Sequence, residues 1–201
     1  MSNSIDFSSL FDKIPDSVKR GYATLDGSYN THNLNKVELA EFVTDLQGIH
    51  IMIVDEGGRY EVLQQRIHNY LSSTYSFLDN IETILHDLGG DRYDRYKKKF
   101  KNNKHNKRVL GLRNYSQHQR PIPLDFKLND NDEIEKILID YELMEEQSDL
   151  SRKETKSMLN IDSEKGEELS LGMAVHNFES KVFEELVEWI KDEMSKEGPK
   201  N

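Results

Sequence analysis

Two Gly-Gly pairs, Gly57-Gly58 and Gly89-Gly90, bracket a stretch of thirty residues with no proline or glycine. Within it Val62, Leu63, Ile67, Tyr70, Leu71, Tyr75, Leu78, Ile81, Ile84 and Leu85 recur every three or four residues. That period belongs to one face of an α-helix, which must find an apolar partner. His86 near the end suits the negative end of a helix dipole, and the glycines stop the run. A helix of this length predicts an antiparallel partner across one of the Gly-Gly turns, and hence a bundle.

The partner is expected upstream. Asn35 with Glu38 three residues later forms a capping-box pattern, and Val37, Leu39, Ala40, Phe42, Val43, Leu46, Ile49, Ile51, Met52 and Ile53 follow. Residues 1–34 carry Pro15 and the Gly-, Ser- and Asn-bearing stretch GYATLDGSYNTHN. They read as a loosely organised segment with a short helix around Phe7–Lys13. A third helix is expected from about Arg92 to Asn102, with Tyr93, Tyr96 and Phe100 on one side. A fourth carries Val109, Leu110, Leu112 and Tyr115 and stops before Pro121.

The period then changes to two. Ile122, Leu124, Phe126 and Leu128 alternate with polar or turn residues, as do Ile137, Ile139, Tyr141 and Leu143, with Asn-Asp-Asn-Asp between them. This predicts a β-hairpin at about 122–143. A helix near Leu150–Asn160, an acidic loop at 162–168 and a last amphipathic helix from about Leu169 to Ser195 complete the chain, with a tail at 196–201. The expected fold is mainly α, an antiparallel helical bundle with a small inserted β-hairpin. It forms a single domain over 35–195.

Charge is unevenly distributed. The chain has a formal net charge of −10, yet Asp91 to Arg120 holds 11 Lys and Arg against 2 Asp, leaving 16 basic and 35 acidic residues elsewhere. A polyanion can dock on such a cationic end despite the overall charge. The same run could instead pair with the acidic remainder of the fold. There are no cysteines, which excludes disulfides, thiolate metal sites and a cysteine nucleophile. His32, His50, His68, His86, His105 and His176 show no metal-binding spacing. No window is apolar enough to span a membrane, and the first residues lack the features of a secretory signal. A cytoplasmic protein with no metal or cofactor is expected.

At the end of the cationic run stands LRNYSQHQRPIP, Leu112 to Pro123, in which Arg113, Asn114 and His118 fit R-N-x-x-x-H. With a basic helix before it, this segment resembles the HEPN superfamily, helical-bundle domains of prokaryotic toxin and antiviral systems. Their signature is Arg, a polar residue that is often Asn, and a His after four to six residues, near the start of a late bundle helix. The stretch Asn69 to Asn80 also looks like the long second helix of such bundles. The resemblance covers roughly residues 36–120 and the final helix, and leaves the hairpin outside.

What the resemblance implies is metal-independent cleavage of RNA through attack by the 2′-OH, with Arg113, His118 and Asn114 catalytic. A histidine can take or give the proton, and arginine offers a planar fork of donors to the phosphate. Five residues along a helix turn through about 500°, leaving the two side chains about 140° apart, and one chain supplies one motif histidine. The resemblance therefore implies a homodimer with facing motifs, or a HEPN partner, and a possible antitoxin or defence-system protein. Lys97, Lys98, Lys101, Lys104, Lys107, Arg108 and Arg120 would bind RNA. Tyr93, Tyr96 and Phe100 suit a core better than base stacking, given their spacing. The contrasting reading is a non-catalytic module that binds a protein, nucleotide or nucleic acid, with the hairpin edge as a docking strand.

Overall fold

The computed structural model describes residues 16–118, 120–147 and 168–196. It is mainly helical with one two-stranded antiparallel sheet. Helix α1 (Asp16–Leu46) and helix α3 (Arg59–Leu88) form the longest packed pair. The bounds of α3 match the sequence expectation.

Helix α1 does not. Residues 16–34 are helical, and Asn35 lies in mid-helix, where its amide donates to the Asn69 carbonyl at 3.3 Å. Glu38 pairs with Arg66 across the helices instead of closing a capping box. The reason is a seam of alternating three- and four-residue steps: Tyr22, Leu25, Tyr29, His32, Lys36, Leu39, Val43, Leu46. Six of these eight are buried, and Lys36 and Val43 are half-buried. In α3 the buried Leu63, Ile67, Tyr70, Thr74, Phe77, Ile81 and Ile84 step in the same way. Two such seams face each other like the stripes of a coiled coil, which outweighs the low helix preference of the Gly, Ser and Asn residues between them. The helices approach closely: a Cβ on Gly21 would stand 3.1 Å from Ile84. The short helix expected at Phe7–Lys13 falls outside the described residues.

The apolar run of α1 was expected to continue to Ile53. It breaks after Leu46, where Gly48 takes φ +77°, and resumes as α2 (Ile51–Glu56). The hairpin causes the break. Gly48 N–H donates to Ile134 O, Ile134 N–H to Ile49 O, and Ile51 N–H to Asp132 O. Backbone groups freed from the helix thus find strand-type partners.

Helix α4 (Arg92–Tyr96) runs into a π turn at Lys97–Lys101, and α5 (Lys104–His118) follows. Strands β1 (Leu124–Leu128) and β2 (Ile134–Ile139) pair with Phe126 opposite Ile137, close to the expected hairpin. Tyr141 and Leu143 belong to α6 (Tyr141–Gln147) instead of a strand. The free side of β2 is partly occupied, since Ile139 N–H donates to Leu169 O and Leu138 bridges to Ser170. Helices α7 (Leu171–Phe178) and α8 (Glu184–Ser195) join through a π turn at Glu179–Phe183. The helix expected at Leu150–Asn160 and most of the acidic loop and tail lie outside the described residues.

Around the bundle, α3 packs on α1 and α5, and α5 packs on α7. One buried cluster joins all of these with Ile122, Ile134, Ile137 and Ile139 of the hairpin region. Its centre is aromatic: Phe183 lies 4.9 Å from Phe77 and 5.9 Å from Tyr29 between ring centroids.

Candidate nucleic-acid site

The motif closes α5 instead of opening a helix. Tyr115, inside it, is buried, and burial raises its phenol pKa. This residue anchors the last turns of α5 and turns Arg113 and Asn114 outward. Arg113 extends over α3, where its guanidinium carbon sits 3.9 Å from the Tyr75 ring centroid. Its Nη1 donates to Asn114 Oδ1 at 3.2 Å. The Arg113 Nε is covered and without a hydrogen-bond partner among the described residues. An aromatic face and an amide thus hold the cation half-exposed in one orientation.

One turn further along α5, Ser116 Oγ donates to Arg113 O at 3.0 Å. Ser116, His68, Gln64, Ile67, Arg120 and Ile122 line a groove of about 370 Å³ between α3 and the end of α5. Gln64 closes one end by donating to Ile122 O at 2.7 Å and to Tyr60 OH at 3.1 Å. His68 is exposed, with Nε2 3.5 Å from Ser72 Oγ. It lies seven residues before Tyr75, so the two share a face of α3 about 10 Å apart. Arg113, His68 and Arg120 therefore follow one another along the α3–α5 junction. His118 ends α5, and its side chain lies outside the described part of the structure.

The cationic run divides in two. Lys97, Lys98, Lys104 and Lys107 are exposed, with no ion-pair partner among the described residues. Four others pair with acidic side chains of the fold. Arg95 grips the buried Glu193 with two bonds of 3.0 and 2.7 Å, and Arg92 lies 3.6 Å from the same carboxylate. The Arg95 bonds, followed by the Lys196 bond, hold the Glu193 carboxyl below its ordinary pKa despite burial. Lys99 pairs with Glu185 at 2.8 Å and Lys101 with Glu82 at 2.7 Å. Burial would lower the Lys101 pKa, yet Glu82 and Tyr93 together raise it. Arg108, expected on the RNA-binding surface, is buried, and so is His105. Helical geometry explains this, because residues 105 and 108 share the face of α5 that carries Val109, Leu112 and Tyr115 into the core. Tyr96 and Phe100 are core residues as expected, and Trp189 packs 5.5 Å from Phe100.

Sequence reasoning missed two features. Nothing in the spacing singles out His68, yet its neighbour Ile67 takes the buried position and His68 lines the groove. His32 and Lys36 occupy the apolar seam of α1, a polar pair at positions where the spacing demands hydrocarbon. His32 is wholly buried: its Nε2 lies 2.9 Å from Glu179 Oε1, its Nδ1 3.1 Å from Thr74 Oγ1, and its ring 4.1 Å from Phe183. Tyr70 OH donates to the same Glu179 oxygen at 2.8 Å. Burial raises the Tyr70 pKa well above its ordinary value, and Glu179 adds to that. Burial alone would also raise the Glu179 carboxyl, but His32, Lys36 and Tyr70 together hold it below its ordinary value.

Among the described residues no three His, Asp or Glu side chains converge as metal ligands would, and no helix is long and apolar enough to cross a membrane. No family model matches the chain, and neither a curated protein nor a solved structure does so.

Proposed function

We propose that the chain is an RNA-cleaving helical-bundle protein of HEPN type, with its site along the α3–α5 junction. The supporting observation is the fixed Arg113. Its guanidinium is stacked on Tyr75 and held by Asn114 beside a groove containing His68, Ser116 and Arg120. Guanidinium groups spaced along a groove suit successive phosphates of a single strand, and the exposed Lys97, Lys98, Lys104 and Lys107 extend the favourable field.

In the proposed reaction the ribose 2′-oxygen attacks the adjacent phosphorus. An imidazole takes the 2′-OH proton, Arg113 binds the pentacoordinate phosphate, and the 5′-oxygen leaves with a proton from a second acid. His118 provides the first imidazole, and the His118 of a second copy completes the acid–base set, so the active species is a homodimer. The products are a 2′,3′-cyclic phosphate and a 5′-hydroxyl. DNA lacks the attacking oxygen and is not cut. A toxin or antiviral role in the cytoplasm, restrained by an antitoxin or another defence-system partner, follows from the family resemblance.

The test is incubation of the purified protein with end-labelled single-stranded RNA in EDTA. Cyclic-phosphate ends are expected, with no cleavage of DNA of the same sequence. Arg113→Ala and His118→Ala should each lower the rate by a factor of about 10² or more. Full activity in His118→Ala, or intact RNA with the wild-type chain, overturns the proposal.

A further inference from the structure

The two outer edges of the hairpin are treated differently. Along β2 the fold supplies partners: Ile134 N–H donates to Ile49 O, Gly48 N–H donates to Ile134 O, and Ile139 N–H donates to Leu169 O. Along the outer side of β1 it supplies none. Among the described residues no element other than β2 runs beside this strand.

The pairing shows which groups of β1 are left over. Ile139 and Ile134 direct their backbone groups away from β1, so they exchange no bonds with the residues opposite them, Leu124 and Leu128. Alternation along the strand adds Phe126. The N–H and C=O groups of Leu124, Phe126 and Leu128 therefore point outward, and none has a hydrogen-bond partner among the described residues. Such a row is a template for another strand.

The side chains select that strand. β1 reads Leu-Asp-Phe-Lys-Leu. Reversed about Phe126 it is the same sequence with Asp and Lys exchanged. Laid antiparallel on a second copy, with Phe126 opposite Phe126, it sets Leu124 opposite Leu128 and Asp125 opposite Lys127 on both sides of the axis. The outward backbone groups then meet as bonded pairs. Asp125 and Lys127 fall at the unbonded positions, where opposite side chains stand closest. A slide of two residues in either direction sets Asp125 against Asp125 or Lys127 against Lys127.

Both charges are placed for this. Asp125 and Lys127 are exposed on one face of the strand, and Asp125 has no ion-pair partner among the described residues. Within the hairpin Lys127 stands opposite Lys136, and it reaches Glu168 only at 3.9 Å. A carboxylate on its free side offsets that like-charged pair. On the other face Leu124, Phe126 and Leu128 are half-buried, with the Phe126 ring against Tyr60, and the same register covers them further.

We propose that β1 is a dimerisation edge, through which two copies of the chain pair antiparallel about Phe126 and join their two-stranded sheets into one. This pairing rests on the strand alone and does not depend on the RNA-cleavage reading.

The test is sedimentation velocity on the full chain across a concentration series. The wild type should pass from monomer to dimer. Asp125→Lys and Lys127→Asp each set like charges opposite across the axis, and each should weaken the dimer by about tenfold or more. Both positions are exposed, so the circular dichroism spectrum should not change. Mixed in equal amounts, the two variants should form a heterodimer, because an edge with two lysines then meets an edge with two aspartates. The double variant Asp125→Lys/Lys127→Asp should dimerise like the wild type. A wild type that stays monomeric, or a mixture of the single variants that stays monomeric, would overturn the proposal. Single variants that dimerise as tightly as the wild type would also overturn it, while leaving intact a dimer formed through the Arg113 and His118 motifs.

Discussion

Arg113 and Tyr75, on different helices and 38 positions apart, are stacked with the guanidinium carbon 3.9 Å from the ring centroid. The contact restrains a long, flexible cation, while Nε is covered and Nη1 donates to Asn114. A phosphate would be met by the remaining guanidinium N–H groups of a cation already fixed in place.

Tyr75 is therefore a positioning residue in the proposed reaction. Tyr75→Phe retains the ring and should retain activity. Tyr75→Leu removes a cation–π contact worth roughly 0.5–2 kcal/mol and should slow cleavage by about 2- to 30-fold. The loss should fall on kcat more than on KM, because the lysines still hold the RNA. A loss confined to KM, or equal losses in the Phe and Leu variants, would count against positioning. Single-turnover and steady-state rates on a short RNA provide the measurement.

The divided basic run predicts two classes of variant. Replacing Lys97, Lys98, Lys104 and Lys107 with Gln should flatten the salt dependence of RNA binding, by up to about 0.7 in log–log slope for each lysine that contacts a phosphate. Arg108→Gln should leave that slope unchanged and lower the urea midpoint, since this side chain is buried. Fluorescence anisotropy across a potassium chloride series, in a His118→Ala background, separates the two effects.

How far the sequence discloses this molecule depends on which signals are local. The span of α3 was legible because glycines mark both ends and one apolar stripe runs between them. The hairpin was legible from its change of period. Helix α1 was not, because Gly21, Gly27, Ser28 and Asn30 conceal a seam that shows only when residues are counted in sevens and His32 and Lys36 are allowed on it. The break at Gly48 depends on hydrogen bonds to Asp132 and Ile134, more than eighty residues away, which no local pattern carries. At the candidate site, the R-N-x-x-x-H spacing of Arg113, Asn114 and His118 could be read along the chain, but the Tyr75 contact could not, since it comes from another helix. Arg108 was misplaced because a run of charge was taken as a surface, and the helical face decides otherwise.

The homodimer required by the proposed reaction has a direct check. Light scattering at the concentration that gives full cleavage should report twice the 23.5 kDa of one chain. Mixing an excess of inactive His118→Ala into the wild-type chain should suppress cleavage, because a mixed dimer retains only one of the two imidazoles. A monomeric mass at full activity would remove the second copy from the mechanism.

His32 and Glu179 meet 147 positions apart in the densest part of the bundle. Removing one member of a buried pair leaves the other short of partners. His32→Leu should therefore cost about 3 kcal/mol or more, measured as a lower urea midpoint. His32→Leu combined with Glu179→Leu should recover part of that loss, because the stranded carboxylate disappears. A double variant less stable than the sum of the single losses would show that the pair is not what the core depends on.

Acid should expose the carboxylates directly. Glu179 and Glu193 both have pKa values held below their ordinary value of 4.5 in the folded chain. Between the lowered and the ordinary values the unfolded chain binds more protons than the folded one, so stability rises with pH through that interval. The contribution is complete above about 4.5 and is lost as the pH falls through the lowered values. Urea midpoints should thus be insensitive to these two groups between pH 6 and 8 and should drop below pH 4.5. Glu193→Gln abolishes the charge that Arg95, Arg92 and Lys196 surround. This variant should be less stable than the wild type at pH 7, and the difference should shrink on acidification as the wild-type carboxyl takes up its proton. A difference that stays constant from pH 7 to pH 3 would mean that the Glu193 charge contributes nothing and that only the shape of the side chain matters there.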